Sequence, residues 1–312
     1  MPGSERLFGF QKFPAQRAGK DLDVFIYVKD GDFTKKKPLF LYIVSFGPVP
    51  IFKKTEKGTS SCLFIPPKLV EDEYHFAVVT YPGVPFVSEC ELEVNEQYRD
   101  AADLGTLAEL NSDAIDFLYD QEWARQGKLV VCGASAGADI AAKVAVLNRK
   151  TTHLACFAGC GLTQMHCFIT EVRNKVRTRM LDEAAGEKKI SDLTNAFTDI
   201  FAHQESRVKH WGGHTYKLWH SFFNEPPVDN LLKLEIPIYY AKGTEDVNSG
   251  IESTDIIPLE FLKRKKTNLT YKVWWGCDHY YRKNRIGKNG VTEKIDWGPE
   301  VRRHFIKWLS KH

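Results

Sequence analysis

No window of the chain approaches the ~18 consecutive apolar residues that a membrane-spanning helix needs, so no membrane span is expected. Neither sign of charge dominates. The 43 Lys and Arg stand against 40 Asp and Glu, for a net charge of +3 over 312 residues, a balance that calls for neither nucleic acid nor an acidic membrane surface as partner. The basic runs Lys35-Lys36-Lys37 and Lys263-Arg264-Lys265-Lys266 are short, sit beside turn signals and read as solvated charges. The opening Met-Pro-Gly-Ser-Glu-Arg lacks the apolar core of a secretory signal. Seven cysteines, an odd number without framework spacing, point to free thiols in a reducing compartment, so a cytoplasmic location is expected. Gly-x-Gly-x-x-Gly and the phosphate-cradling Gly-x-x-x-x-Gly-Lys are both missing. Internal repeats are absent, which excludes a solenoid. Cys156, Cys160, His166 and Cys167 match a zinc site only loosely and read as structural residues. Gly212-Gly213 interrupts the only i, i+4 histidine pair, His210 and His214. No metal and no organic cofactor is expected.

What the chain does have is apolar residues in quantity: 43% hydrophobic and 12% aromatic, enough for one large core or for a core with an inserted subdomain. Leu39–Val44, His75–Val79, Leu129–Cys132, His153–Phe157 and Ile236–Ala241 are near-continuous apolar runs, as strands buried on both faces require. An edge strand over 5–13 and a strand over Asp23–Lys29 ending in the turn Asp30-Gly31-Asp32 precede them. Residues 51–73 read as loop, and 95–125 as one long helix with Leu104, Leu107, Leu110, Ile115 and Leu118 on one face. Further helices are expected near 257–264 and over 297–309, with a last strand at Leu269–Trp274. Strand–helix alternation argues for a mostly parallel sheet covered on both faces. The alternation stops between Leu162 and Leu234, where the sequence is charged and helical without strand signal. The expected organisation is therefore a core of residues 1–161 and 235–312, with 162–234 inserted as a helical cap or lid.

One stretch concentrates the chemistry. The apolar run Leu129–Cys132 leads into Gly133-Ala134-Ser135-Ala136-Gly137, and an alanine-rich run of high helix propensity follows. Gly-x-Ser-x-Gly between a strand and a helix is the context of a nucleophile elbow, a strained turn that lifts the serine hydroxyl clear of the sheet. A serine hydroxyl is a poor nucleophile without a base and a group to orient that base. Residues just past the C-terminal ends of parallel strands share one edge. Three fit: Ser135, Asp246 after the strand at 236–241, and His279 after the last strand. Glu245 is the substitute for Asp246. Asp278 ranks low, because adjacency to His279 does not give triad geometry.

With the elbow, the Gly243-Thr244-Glu245-Asp246 turn and Gly276-Cys277-Asp278-His279 in that order, residues 20–311 resemble the α/β-hydrolase superfamily of serine esterases, lipases and peptidases. The resemblance implies the α/β-hydrolase fold, with a mostly parallel sheet flanked by helices and a helical cap insert. It implies Ser135 as nucleophile, His279 as general base and then acid, and Asp246 as the orienting carboxylate. The oxyanion would be met by the Ala136 N–H and by a second donor after an early strand, Phe46 or failing it Gly47, since Pro48 and Pro50 carry no N–H. The Ser45-Phe46-Gly47-Pro48 loop departs from the His-Gly or Gly-Gly common there. Trp211, Trp219 and Phe222 are candidates to line an acyl pocket, or else they anchor the insert.

The expected activity is cleavage of a carboxylic ester, thioester or amide through an acyl-enzyme, with a small-molecule ester or short peptide as substrate. A prolyl-oligopeptidase-like peptidase and a non-catalytic ligand-binding member of the same fold are the alternatives.

Overall fold

The computed structural model describes residues 6–17, 20–29, 33–286 and 292–312. The turn expected at Asp30-Gly31-Asp32 lies outside them. The chain has the expected α/β-hydrolase fold, a large, mostly parallel sheet flanked by helices. It divides into two compact units, Met1–Ala155 and Cys156–His312.

In the first unit, strands β1 (Arg6–Leu7), β2 (Phe10–Arg17) and β3 (Lys20–Tyr27) form an antiparallel edge. β4 (Lys37–Ile43) follows. The stretch after it holds a hairpin, β5 (Phe52–Thr55) and β6 (Gly58–Ser61), where loop was expected. Its residues are half-buried or exposed, so no apolar alternation marks it. β7 (His75–Thr80) and the short β8 (Val87–Ser88) come next. The expected long helix is two: α1 (Glu96–Ala101) and α2 (Leu104–Tyr119). Asp103 makes the break. Its carboxylate accepts the Thr106 N–H at 2.8 Å, the N-cap role that short acidic side chains favour over a place inside a helix. The predicted face of α2 is buried throughout.

β9 (Ala124–Ala134) runs directly into α3 (Ala136–Leu147). β4 lies parallel between β7 and β9, with Leu39 paired to both His75 and Leu129. From Leu39 to Ile43 side chains on both faces are buried, which accounts for the unbroken apolar run. β10 (His153–Phe157) carries the chain into the second unit.

There, residues 162–234 contain α4 (Gln164–Arg177), α5 (Glu183–Ala202), α6 (Tyr216–Phe223) and α7 (Pro227–Leu232). They also contain strands where none was expected: β11 (His210–Trp211) pairs antiparallel with β12 (His214–Thr215). Gly212 and Gly213, both at positive φ (53° and 83°), form the two-residue turn between them. β13 (Ile238–Gly243), α8 (Ile251–Thr254) and α9 (Ile256–Lys263) lead to β14 (Leu269–Trp274), which lies parallel to β13. A second hairpin, β15 (Arg282–Ile286) with β16 (Thr292–Asp296), and α10 (Gly298–Leu309) complete the chain. Among the described residues no helix is long and apolar enough to cross a membrane.

Candidate active site

Ser135 stands between β9 and α3 with φ 56° and ψ −135°, a conformation that costs an ordinary residue about 1–3 kcal/mol and persists only where its surroundings enforce it. The two glycines of the motif show how. A Cβ on Gly133 would lie 2.1 Å from the Gly137 carbonyl oxygen, and one on Gly137 would lie 2.5 Å from the carbonyl oxygen of Ile43 at the end of β4. Only bare backbone allows strand, turn and helix to approach this closely. A side chain that sequence reasoning passed over fastens the turn: Ser45 Oγ donates to the Ala134 carbonyl at 3.1 Å and accepts the Gly137 N–H at 3.3 Å. Ser135 and Ala136 are half-buried, and Ala136 opens α3. In the loop after β4, Phe46 is half-buried. The Gly47 N–H donates to the buried Tyr98 hydroxyl, whose proton burial holds up to a pKa of about 12.

In the second unit, Asp246 and His279 come together. His279 Nδ1 lies 2.8 Å from Asp246 Oδ2. The turn carrying Asp246 is tied to the end of β14 by three bonds: Thr244 N–H to the Trp274 carbonyl (3.2 Å), Glu245 N–H to the Cys277 carbonyl (2.9 Å) and Gly276 N–H to Thr244 Oγ1 (2.8 Å). Glu245 is exposed while Asp246 is 3% exposed, so of the two neighbours only the aspartate turns inward. Asp278 caps its own turn. Its Oδ1 accepts the Tyr280 and Arg282 N–H groups at 2.9 and 2.8 Å, and its Oδ2 meets the Arg282 guanidinium at 3.1 Å. Tyr281 buttresses the turn, donating through its hydroxyl to the Ala241 carbonyl at 2.8 Å and accepting the Ala158 N–H at 3.0 Å.

The Asp246 carboxylate is saturated with partners. Oδ1 accepts the N–H groups of Asn248 and Ser249 at 2.9 and 3.0 Å. Oδ2 also meets the ammonium of Lys242 at 2.8 Å. Burial would raise the carboxyl pKa, but the hydrogen bond with His279 and the charge of Lys242 outweigh it and hold the group well below the usual carboxylate range. Lys242, fully buried on β13, was also missed from sequence, although a lysine closing the apolar run Ile238–Ala241 was its signal.

Of the acyl-pocket candidates, Trp219 and Phe222 are buried and Trp211 is half-buried. Trp211 and Trp219 lie edge to face at 5.2 Å and pack with Phe168, Phe197 and Phe223, so these two rings belong to an aromatic core built from α4, α5, α6 and the β11–β12 hairpin. Trp211 also lines a cavity of about 300 Å³ with Phe168, Val172 and Leu193, edged by Glu171, Lys175, Lys189 and Asp192. Of the loosely zinc-like residues, Cys160 and Cys167 bring their sulfurs to 3.1 Å. Among the described residues no group of three or more His, Cys, Asp or Glu is placed to hold a metal ion.

No protein-family model matches the sequence, and no curated protein matches it. Solved structures do. The acylaminoacyl peptidase of Pyrococcus horikoshii superposes on 98% of this chain with a TM-score of 0.60 at 10% identity, the match covering 42% of the peptidase. Est1E from Butyrivibrio proteoclasticus matches 97% of this chain and 98% of its own at 12% identity, with a TM-score of 0.57. Dipeptidyl peptidase 4 of Porphyromonas gingivalis gives a TM-score of 0.57 at 12% identity over 97% of this chain and 35% of its own. The chain thus spans less than half the length of these peptidases and nearly all of the esterase-sized neighbour. The neighbours are serine esterases and peptidases of the α/β-hydrolase fold.

Proposed function

We propose that the protein is a serine hydrolase that cleaves a carboxylic ester, or a thioester or amide, through an acyl-enzyme. The observation that carries the reading is the His279–Asp246 pair, with Nδ1 2.8 Å from Oδ2. An imidazole whose Nδ1–H is held by a buried carboxylate presents Nε2 as the basic nitrogen. In this reading Nε2 takes the proton of the Ser135 hydroxyl as Oγ attacks the substrate carbonyl. His279 then returns that proton to the leaving group, and the acyl group stays on Oγ. Water, deprotonated by His279, releases the acid and restores Ser135. The Ala136 N–H at the start of α3 and the Phe46 N–H meet the oxyanion. Phe46 is preferred to Gly47, whose N–H is directed at Tyr98. Residues 162–234 act as the cap.

The test is hydrolysis of p-nitrophenyl esters together with labelling by a fluorophosphonate. Wild type should turn over and label. Ser135→Ala should not label and should lose activity by about 10³-fold or more. Full activity in Ser135→Ala removes the reading. Turnover of dipeptidyl or acyl-aminoacyl amides in preference to esters moves it to a peptidase.

A further inference from the structure

The geometry points to Lys242 as a positioning residue for this chemistry: its ammonium clamps the Asp246 carboxylate and offsets its charge, and so sets the pH at which His279 works as base. The inference rests on the reading of Asp246 and His279 given above.

A buried ammonium is unfavourable unless every donor is met and a counter-charge lies close. Lys242 meets both conditions. It is 0% exposed, and its three N–H donors point at Asp246 Oδ2 (2.8 Å), Ser249 Oγ (2.6 Å) and the Gly159 carbonyl (3.2 Å). Ser249 closes the ring. Its single proton goes to the Ala158 carbonyl (3.0 Å) or to Asp246 Oδ2 (3.1 Å) while its oxygen accepts from the lysine. With the backbone N–H groups of Asn248 and Ser249 on Oδ1, the carboxylate is held from both ends and cannot rotate without breaking several bonds.

The oxygen that Lys242 holds is the one that faces His279 Nδ1. A bare buried carboxylate strongly favours an imidazolium beside it. Here an ammonium bonded to the same oxygen cancels most of that pull. The Asp246–Lys242 pair is neutral, so it orients the ring through its hydrogen bond while adding little net charge.

The other ionisable groups around the pair are accounted for. Asp278 is ion-paired with Arg282, and burial pushes the Tyr281 phenol well above its usual range. Burial also raises Cys277, Tyr280 presents its ring to His279, and the Lys283 ammonium lies over Trp297.

The experiment compares wild type with Lys242→Met, which removes charge and donors, and Lys242→Gln, which keeps a donor and removes the charge. Fluorophosphonate labelling of wild-type Ser135 comes first, because its failure counts against the serine hydrolase and not against Lys242. Two readouts follow: the pH profile of kcat/KM, and the low-field proton resonance of the His279 Nδ1–H, which needs no turnover. In both variants the acid limb should move upward by about one pH unit and the proton resonance downfield, as expected for removing a contact charge. Folded variants with profile and resonance unchanged from wild type, and a lower melting temperature only, overturn the inference. Where neither single variant folds, Asp246→Asn is compared with Asp246→Asn/Lys242→Met. Removing the ammonium should then move the NMR titration of the His279 ring upward, and an unmoved titration overturns the inference equally.

Discussion

Ser135 holds its positive φ because its neighbours leave it no other path. The Gly137 amide is tied to Ser45 Oγ, and the Gly133 and Gly137 α-carbons sit against carbonyl oxygens. The steric demand is testable at single positions. Gly137→Ala would press a methyl to 2.5 Å from the Ile43 carbonyl oxygen, a contact with backbone that no side-chain rotation relieves. We expect a loss of about 1–3 kcal/mol in urea denaturation, with labelling of Ser135 impaired even where the protein folds. A variant as stable and reactive as wild type would mean that β4 and the elbow yield more easily than this packing implies. Ser45→Ala should show a milder form of the same defect, since it removes two hydrogen bonds without adding volume.

At the level of elements, residues 162–234 are held together by their own rings. Phe197 of α5 is 7% exposed and touches Phe168, Trp211 and Phe223. Phe197→Ala should cost about 3–5 kcal/mol. The loss should appear as faster amide exchange in α4 and α5 and as altered tryptophan fluorescence, while β4 and β7 keep their protection. Uniform loss of protection in all four would show that α4 and α5 do not unfold apart from the sheet. The elements also show where local pattern suffices. Continuous apolar runs marked β4, β7, β9, β10 and β13, because a strand buried on both faces must be apolar throughout. The β5–β6 hairpin escaped notice because its Lys53-Lys54-Thr55 strand buries little. The α1–α2 break and the β11–β12 turn were legible in principle, as an aspartate cap at 103 and a Gly-Gly pair at 212. Helical periodicity and the charged surroundings hid both.

For the whole molecule, Asp246 links folding to pH. Its carboxyl lies below the usual range when folded, so its contribution is complete above the unfolded value of about 3.9 and is lost as pH falls towards the folded one. Asp246→Asn should therefore be less stable than wild type at pH 7 by about 3–5 kcal/mol, the cost of stranding a buried ammonium. The gap should narrow as the pH drops below about 4. Urea midpoints at pH 7 and pH 3 measure it, and a gap that stays constant would show that the pair does not couple to folding. The strand–turn–helix order that marks Ser135, and the succession of strands that marks the fold, were determined by the sequence itself, because both are set by residues adjacent in the chain. The contact between Asp246 and His279, the burial of Asp246 beside an exposed Glu245, and the lysine beneath them were decided only by tertiary structure. Each depends on how the turns after β13 and β14 are registered against one another, which no local pattern of residues encodes.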